Sequence, residues 1–249
     1  MDITSLSNDL VKQTIKLQQK KYRTESGLFL LEGYKSVYEA VQYGIDLKHV
    51  FVLSEKSDKY DFVKTELINT TEAVLKKIST TDSAPEVVAV AVQKKNNLEE
   101  LKNSKKVILL ENISDAGNLG TIIRSATAFN IDTIILYGDT VDLYNPKCVR
   151  SAVGNLWKTN IVQIKDFNVL KNLVSDFEKV ATLPKTNNSV WFDSWTPAEK
   201  TVVMFGSEAD GLTEELKNIA DKNLTIEINK DVESLNLSIS AGIIMHKMR

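Results

Sequence analysis

One stretch of the chain, Val107 to Phe129, constrains the fold more than any other. It opens with an unbroken apolar run, 107–110, which is typical of an inner strand of a parallel sheet covered on both faces. A turn-forming cluster follows, in which Gly117 and Gly120 would allow positive φ and the close approach of a ligand. A helix is predicted over 119–129, because its apolar residues recur at helical spacing. Strand, turn and helix in this order predict an α/β fold.

Arg124 lies off the apolar stripe of that helix, near its predicted start. Backbone amides in the first turn of a helix have no intrahelical partner, and a guanidinium beside them suits a phosphate. We therefore expect this stretch to contact a phosphorylated ligand.

Composition excludes several classes of protein. The 249 residues are 43% hydrophobic, which is typical of a globular chain, and no apolar run is long enough to span a bilayer. The first ten residues have neither the basic nor the apolar part of a secretion signal, so we expect a cytoplasmic location. Cys148, His49 and His246 are too few for a standard zinc site, and we predict no metal site. With a net charge of −2, any nucleic acid must be bound by local basic patches.

Residues 10–25 hold such a patch. Its cations are Lys12, Lys16, Lys20, Lys21 and Arg23. Glu25 is the only acidic residue among them, and Tyr22 could offer its ring to a nucleobase. The patch predicts an RNA contact, with a solvated helix face as the alternative, because basic runs are common on protein surfaces.

Strands and helices alternate through residues 1–95, which predicts a small α/β unit. We expect helices over 9–19, 33–44 and 58–67 and strands at 28–32, 49–53, 73–78 and 86–92. The polar segment 93–106 that follows offers nothing to a core. We therefore place a boundary near residue 98, between a domain of residues 1–98 and a domain of residues 99–249.

The second domain repeats the alternation and predicts a parallel sheet. We expect strands at 107–110, 133–137, 160–164, 180–183, 201–205 and 224–228, with helices over 119–129, 149–155, 166–179 and 213–220 and at the C-terminus. The last helix carries much apolar surface, from Ile239, Ile243, Ile244, Met245 and Met248. So large an apolar surface on a terminal helix predicts a homodimer through this domain.

Three loops of the second domain follow strands, where open α/β sheets bind their ligands. The first is the turn within 112–120. The second, 205–212, places Glu208 between two glycines, and the third, 228–242, brings small polar residues to the start of the last helix. Taken alone, the polar residues of each loop would most often only cap the helix that follows.

Together, in this order and spacing, the three loops resemble the motifs of the SpoU/TrmH family of RNA ribose 2′-O-methyltransferases, in the SPOUT class. The matching segments are DAGNLGTIIRSATAFN, FGSEADGL and VESLNLSISAGI, with NPKCVRSAVGN similar to a further family segment and KYRTESGLFLLEGYKSVYEAV to the N-terminal substrate-binding domain. The resemblance implies a small N-terminal α/β substrate-binding domain and a C-terminal α/β domain with a parallel sheet and a deep trefoil knot. It also implies S-adenosylmethionine bound at a homodimer interface.

The resemblance assigns roles position by position. It implies a catalytic set of Arg124, Asn118, Glu208, Ser234 and Asn236, with Arg124 at the RNA phosphate and 2′-hydroxyl. It implies cofactor contacts, largely through backbone, at Gly206, Ile226 and Leu235. The substrate would be a structured ribosomal or transfer RNA.

The chain departs from the family pattern at two places. Lys230 stands where the family usually has a glycine, and a lysine at positive φ would be strained. Ser151 and Ala152 reverse the usual Ala-Ser order. Two other classes of function stay open at this point, a catalytically inactive RNA-binding protein of the same fold and an unrelated phosphate-handling α/β enzyme.

Overall fold

The computed structural model of the chain describes all 249 residues. Its strands are β1 (Asp2–Ile3), β2 (Leu28–Glu32), β3 (Leu47–Leu53), β4 (Leu67–Thr70), β5 (Val87–Val92), β6 (Lys106–Glu111), β7 (Thr133–Tyr137), β8 (Asn160–Ile164), β9 (Glu178–Thr182), β10 (Ser189–Trp191), β11 (Thr201–Phe205) and β12 (Lys222–Thr225). Its helices are α1 (Asp9–Lys16), α2 (Lys20–Ser26), α3 (Tyr34–Gln42), α4 (Glu72–Ile78), α5 (Leu98–Asn103), α6 (Ala116–Ala128), α7 (Pro146–Ala152), α8 (Phe167–Leu173), α9 (Glu214–Ile219) and α10 (Leu237–Met248). None of these helices has the length and apolar character needed to cross a bilayer.

The chain forms two compact units, and neither is a single continuous stretch. Residues 1–95 and 142–157 form the first unit, and residues 96–141 and 158–249 form the second. The division into domains of residues 1–98 and 99–249 stays a prediction, although its second domain includes the segment 142–157 that packs within the first unit.

The first unit is built on a five-stranded mixed sheet in the order β1-β4-β3-β5-β2. Strand β5 pairs antiparallel with both β2 and β3, whereas β3 pairs parallel with β4. Helices α1 and α4 bury Val11, Val74 and Leu75 in a core shared with Leu30 and Phe51 of the sheet. The small α/β unit expected from the sequence is present.

Two elements of this unit differ from the sequence prediction. Residues 73–78, predicted as a strand, belong to α4, which begins where the Thr71 hydroxyl accepts a hydrogen bond from the Val74 amide at 3.4 Å. Residues 58–67, predicted as a helix, form the end of a 3-10 turn (Ser54–Tyr60) and the approach to β4. Short apolar runs do not distinguish a strand from a helix, and at 73–78 the Thr71 cap favours the helix.

The segment 142–157 is held in the first unit by buried polar contacts. The Arg23 guanidinium donates to the Asp142 carboxylate from Nε at 2.8 Å and from Nη2 at 2.6 Å. Arg150 of α7 donates to Glu32 at 2.8 Å and also bonds the Thr80 hydroxyl. Because the side chains of Arg23 and Glu32 are almost fully buried, these ion pairs are part of the interior of the unit.

The second unit is built on a seven-stranded sheet in the order β10-β12-β9-β11-β6-β7-β8, and every pair of neighbouring strands is parallel. Its inner strands β6, β7 and β11 are buried along nearly their whole length. This matches the expectation that continuous apolar runs form strands covered on both faces. The α/β class and the C-terminal parallel sheet are therefore confirmed.

The structure corrects two expectations for this unit. The segment 93–106 does contribute to the core, because α5 lies within it and buries Leu101 completely. Of the five apolar residues in the last helix, Ile244, Met245 and Met248 are buried within the chain. Helix α10 packs against α6, so the apolar surface left for another copy is smaller than the sequence suggested, and its most exposed member is Ile239, at 54%.

Candidate functional site

Side chains from the three predicted loops meet in the second unit. The amide Nδ2 of Asn118 donates to Oε1 of Glu208 at 2.8 Å, across a separation of 90 residues. The amide Nδ2 of Asn236 donates to Oδ1 of Asn118 at 3.1 Å, across 118 residues. Asn118 therefore joins the second loop to the third through one amide group.

Asn118 is fixed by the start of α6. The Asp115 carboxylate accepts a hydrogen bond from the backbone N–H of Asn118 at 2.8 Å. This bond caps the helix, which begins at Ala116. Gly117 and Gly120 lie inside α6, and neither has positive φ. The expectation that these glycines form a ligand-binding turn is therefore wrong, because the Asp115 cap starts the helix before both of them.

Arg124 lies elsewhere on α6 than the sequence suggested. It is exposed in the second half of the helix, about 12 Å along the axis from Ala116 at about 1.5 Å per residue. It makes no side-chain hydrogen bond or ion pair within the chain. The expectation that Arg124 and the free amides of the helix start form one phosphate site is therefore wrong, because the two are far apart on α6. The structure instead presents an exposed guanidinium to a ligand.

The second loop is a tight ring that requires glycine. Ser207 and Gly211 exchange backbone hydrogen bonds, both at 3.1 Å, and Gly211 has a φ of +67°. A Cβ atom on Gly206 would lie 1.9 Å from the Gly211 carbonyl carbon. Any other residue at position 206 would therefore open the ring that presents Glu208.

A buried carboxylate anchors the far end of this loop. Glu111, at the end of β6, accepts hydrogen bonds from the Thr213 amide at 2.8 Å and the Thr213 hydroxyl at 2.7 Å. Glu111 is only 1% exposed, so both bonds are shielded from water. This link between β6 and the second loop was not predicted, because a glutamate closing an apolar strand has no sequence signal for its partner.

The third segment positions Asn236 as the N-cap of α10. Its Oδ1 accepts from the Ser238 amide at 2.9 Å, which leaves its Nδ2 free to bond Asn118. Lys230 in the same segment is exposed, and its φ is not positive. The strain expected of a lysine at this position is absent, because the backbone takes an ordinary conformation there.

Two adjoining cavities open at the carboxyl ends of β9, β11 and β12. Their volumes are about 520 and 380 Å³, and they share Thr182, Ser234, Leu235 and Ser240. The predicted cofactor residues all line them, with Ile226 in the larger cavity, Gly206 in the smaller and Leu235 in both. Glu208 and Asn236 line the smaller cavity as well. The structure therefore brings together every predicted cofactor and catalytic residue except Arg124, which lines neither cavity.

The sequence analysis missed one wall of the larger cavity. It is formed by the loop after β9 and by β10, which contribute Lys185 and Trp191. The Lys185 ammonium lies 5.1 Å from the centre of the Trp191 ring, within the range of a cation–π contact. Strand β10 pairs parallel with β12, and its short apolar pair Val190-Trp191 was the available signal.

The predicted RNA contacts lie in the first unit and divide into two groups. Lys12, Lys16, Lys20 and Lys21 are exposed on α1 and α2. The ammonium groups of Lys16 and Lys21 lie 5.5 and 5.8 Å from the centre of the Tyr22 ring. Arg23 is 2% exposed and paired with Asp142, so its prediction as an RNA contact is wrong, because its charge is already neutralised in the interior.

The arrangement in the second unit offers a ligand two chemically different surfaces. The cavities combine apolar side chains with hydroxyl groups and loop backbone, which suits a small molecule with both apolar and polar parts. The chain of amide and carboxylate groups at the edge of the smaller cavity can hold a polar reactant by hydrogen bonds. Arg124 adds an exposed positive charge six residues after Asn118 on the same helix.

Comparison with known proteins gives matches along nearly the whole chain. Residues 105–246 match the model of the SpoU rRNA Methylase family, and residues 8–89 match the model of an MRM3-like substrate binding domain.

The 23S rRNA (guanosine(2553)-2'-O)-methyltransferase RlmP of Bacillus subtilis is 29% identical over 250 residues, which cover 99% of this chain and 98% of the relative. The 23S rRNA (uridine(2479)-2'-O)-methyltransferase of Streptomyces viridochromogenes is 25% identical, over 93% of this chain and 85% of the relative. The crystal structure of the AdoMet-bound rRNA methyltransferase from Sinorhizobium meliloti is similar with a TM-score of 0.88 at 27% identity, and the match covers 99% of this chain and 96% of that one.

Proposed function

The chain belongs to the SpoU rRNA methylase family, and from that membership we propose that it transfers a methyl group from S-adenosylmethionine to a ribose 2′-hydroxyl of a structured RNA. Ribosomal RNA is the favoured substrate class, because similar curated proteins are named as 2′-O-methyltransferases of 23S rRNA, and transfer RNA is the other candidate.

One observation carries the proposal. The hydrogen-bonded chain Glu208–Asn118–Asn236 lies beside a cavity of about 380 Å³ whose wall includes Gly206, and a second cavity of about 520 Å³ adjoins it. A methyl transfer between two bound molecules needs such adjacency, because the donor and the acceptor oxygen must be held in line at short distance.

The residues present fit S-adenosylmethionine. Its adenosyl and amino-acid parts need a pocket with apolar walls and backbone hydrogen-bonding groups, and Ile226, Leu235 and the Gly206 loop provide both. When bound, the cofactor supplies an electrophilic methyl group on a sulfonium. The glycine at position 206 keeps the loop that lines the smaller cavity closed, because a Cβ there would overlap backbone atoms of Gly211 and Leu212.

The chain's own side chains orient the RNA ribose. We assign Arg124 to the phosphate and to the charge that develops on the attacking oxygen, since a guanidinium stays protonated and cannot act as a general base. Asn118, Glu208, Ser234 and Asn236 fix the geometry around that oxygen. Preorganised donors of this kind supply much of the rate in such reactions.

RNA is held by the first unit. Lys12, Lys16, Lys20 and Lys21 remain in the proposed contact surface, and Arg23 is removed from it. The match of residues 8–89 to a substrate binding domain supports this assignment. Contacts between lysines and phosphates make binding weaker as salt rises.

Three further features belong to the proposal. The chain forms a homodimer through the second unit, supported by the exposed Ile239 on α10. The segments that follow β11 thread a deep trefoil knot, supported by the similarity in backbone to rRNA and SpoU methyltransferases of known structure. The protein works in the cytoplasm, supported by its single cysteine, Cys148, which leaves no pair for an internal disulfide.

Two measurements on the full-length protein test the proposed function. Isothermal titration calorimetry should show S-adenosylmethionine binding, and tritium from labelled cofactor should pass to ribosomal RNA or to transfer RNA. Binding of RNA without cofactor binding would instead support an inactive RNA-binding protein of the same fold. Release of phosphate from nucleotides without methyl transfer would support the phosphate-handling enzyme.

A further inference from the structure

A cluster of aromatic rings is exposed on the first unit, on elements other than the helices α1 and α2 that carry the basic patch. Tyr34 and Tyr38 are 46% and 38% exposed, although α3 buries smaller residues on its other face, Ser36, Val37 and Ala40. Phe62, partly buried, comes from the loop between the 3-10 turn and β4. Rings of this size are normally buried when the core has room for them, so their exposure points to an external contact.

The rings are held in a fixed arrangement. Tyr34 and Tyr38 stack with their planes 13° apart and their centres 5.9 Å apart. Phe62 meets both edge-on, at 5.6 and 5.2 Å. Tyr60, which is fully buried, backs Tyr34 and Phe62 at 5.7 and 6.0 Å. A surface ordered in this way binds a flat ligand without the entropy cost of arranging its side chains.

We propose that Tyr34, Tyr38 and Phe62 form a stacking platform for unpaired bases of the RNA substrate. The inference rests on the proposed function for the identity of its ligand and adds a contact surface on α3. Aromatic rings stack on single-stranded bases whatever their sequence. The platform lies inside residues 8–89, which match a substrate binding domain.

Charge near the rings favours RNA over a purely apolar partner. Lys35 lies beside Tyr34 on α3, and Lys64 follows Phe62 by two residues. Both lysines are exposed and make no ion pair within the chain. Of the carboxylates next to the rings in sequence, Asp61 is exposed and Glu39 is partly buried. Phosphates that flank a stacked base would meet these two ammonium groups.

Equilibrium binding to the full-length protein tests the platform. The probe is a fluorescein-labelled single-stranded oligoribonucleotide of twelve mixed nucleotides, compared with the same strand fully paired to its complement. We expect Tyr34→Leu/Tyr38→Leu to weaken binding of the single strand by about tenfold or more, since each lost stack removes about this much. Binding of the duplex should change by less than about twofold, because its bases are already stacked on one another.

Two control variants separate stacking from other causes. Tyr34→Phe/Tyr38→Phe keeps both rings and should bind the single strand like the wild type. Tyr43→Leu removes a tyrosine that is 50% exposed at the C-cap of the same helix, outside the cluster, and should also bind like the wild type. Equal losses in Tyr43→Leu and in the double leucine variant, or no loss in either, would overturn the platform.

Photocrosslinking gives a readout that does not depend on variant folding. A single strand carrying 5-iodouridine should crosslink the wild-type chain at Tyr34, Tyr38 or Phe62, and crosslinks confined to Tyr22 or Tyr43 would overturn the proposal. Loss of binding to another protein, with RNA binding intact, would assign the rings to a protein partner and overturn it too. The proposed function is judged separately, because a chain that binds RNA on these rings but transfers no methyl group fails only as a methyltransferase.

Discussion

Asn118 and Glu208 are joined by a hydrogen bond of 2.8 Å from the amide Nδ2 to Oε1, although they lie 90 residues apart in the chain. The same Asn118 side chain accepts from Asn236, so one residue in the first turn of α6 sets the relative position of two loops. Both loops also line the smaller cavity. The two hydrogen bonds of Asn118 therefore link the walls of the proposed cofactor cavity to the residues proposed to orient the ribose.

Replacing Asn118 should therefore damage the reaction more than the fold. We expect Asn118→Ala to reduce the methyl-transfer rate by something on the order of 10²-fold, because the positions of Glu208 and Asn236 are no longer coupled. The melting temperature should change little, since these side chains are not in the core. Asn103→Ala, at an exposed position on α5, is the matched control, and an equal rate loss in both variants would argue against the coupling.

Arg124 should act on RNA and on turnover, with little effect on the cofactor. Since it lines neither cavity, we expect Arg124→Ala to leave S-adenosylmethionine affinity nearly unchanged while turnover falls on the order of 10²–10³-fold. Single-turnover methylation and calorimetry measure the two effects separately.

Arg124→Lys is the informative companion to that variant. It should restore only part of the turnover, because an ammonium cannot reproduce the two parallel hydrogen bonds of a guanidinium to phosphate. If Arg124→Ala methylates within a few-fold of the wild type at an unchanged melting temperature, Arg124 leaves the catalytic set.

Gly206 should tolerate no side chain. The added Cβ of Gly206→Ala would meet backbone atoms of Gly211 and Leu212, so the loop must open, at a cost of about 1–3 kcal/mol. We expect loss of cofactor binding by calorimetry and a lower melting temperature. Ala209→Ser, at an exposed position of the same loop, should keep both near wild-type values, and normal cofactor binding by Gly206→Ala would show that the loop is not part of the site.

Parts of the fold and of the site could be predicted from the sequence because their signals are local. The buried strands at 107–110 and 201–205 are continuous apolar runs, and the parallel sheet that they imply brings loops together at the carboxyl ends of its strands. That rule, together with the family resemblance, placed Asn118, Glu208 and Asn236 in one site before any distance was known.

The errors came from partners that a local pattern does not contain. The positive charge of Arg23 was visible in the sequence, but its partner Asp142 lies 119 residues away and decides that the guanidinium is buried. The Asp115 cap moved the start of α6 ahead of two glycines that were expected to form a turn. The wall made by Lys185 and Trp191 depends on the pairing of β10 with β12, which is a tertiary contact.

Arg23 should therefore contribute to stability and not to RNA affinity. Removing one partner of a buried ion pair typically costs about 3–5 kcal/mol, because the other charge stays buried and unpaired. We expect Arg23→Ala to unfold at lower denaturant concentration, whereas Lys20→Ala, at an exposed position, should not. If Arg23→Ala instead shows normal stability and a weaker salt dependence of RNA binding, that result contradicts this prediction and identifies Arg23 as an RNA contact.

The proposed dimer depends on the exposed part of α10. Ile239→Asp puts a charge on a side chain that is 54% exposed, and we expect it to shift the protein from dimer to monomer in sedimentation velocity. Val169→Asp makes the same change on α8, where Val169 is 44% exposed, and should leave the dimer intact. If the wild-type protein sediments as a monomer at micromolar concentration, the proposed homodimer is wrong.

The acceptor of the methyl group is expected to be a ribose 2′-hydroxyl. Ribosomal RNA methylated by the full-length protein with labelled S-adenosylmethionine can be cut by a nuclease into oligonucleotides, and each labelled fragment can then be digested to nucleosides and analysed by mass spectrometry. We expect the label in a 2′-O-methylated nucleoside from one position of the RNA, and we expect Arg124→Ala to yield far less of it. Label carried on a nucleobase, or spread over many positions at equal rates in the wild type and Arg124→Ala, would contradict this expectation.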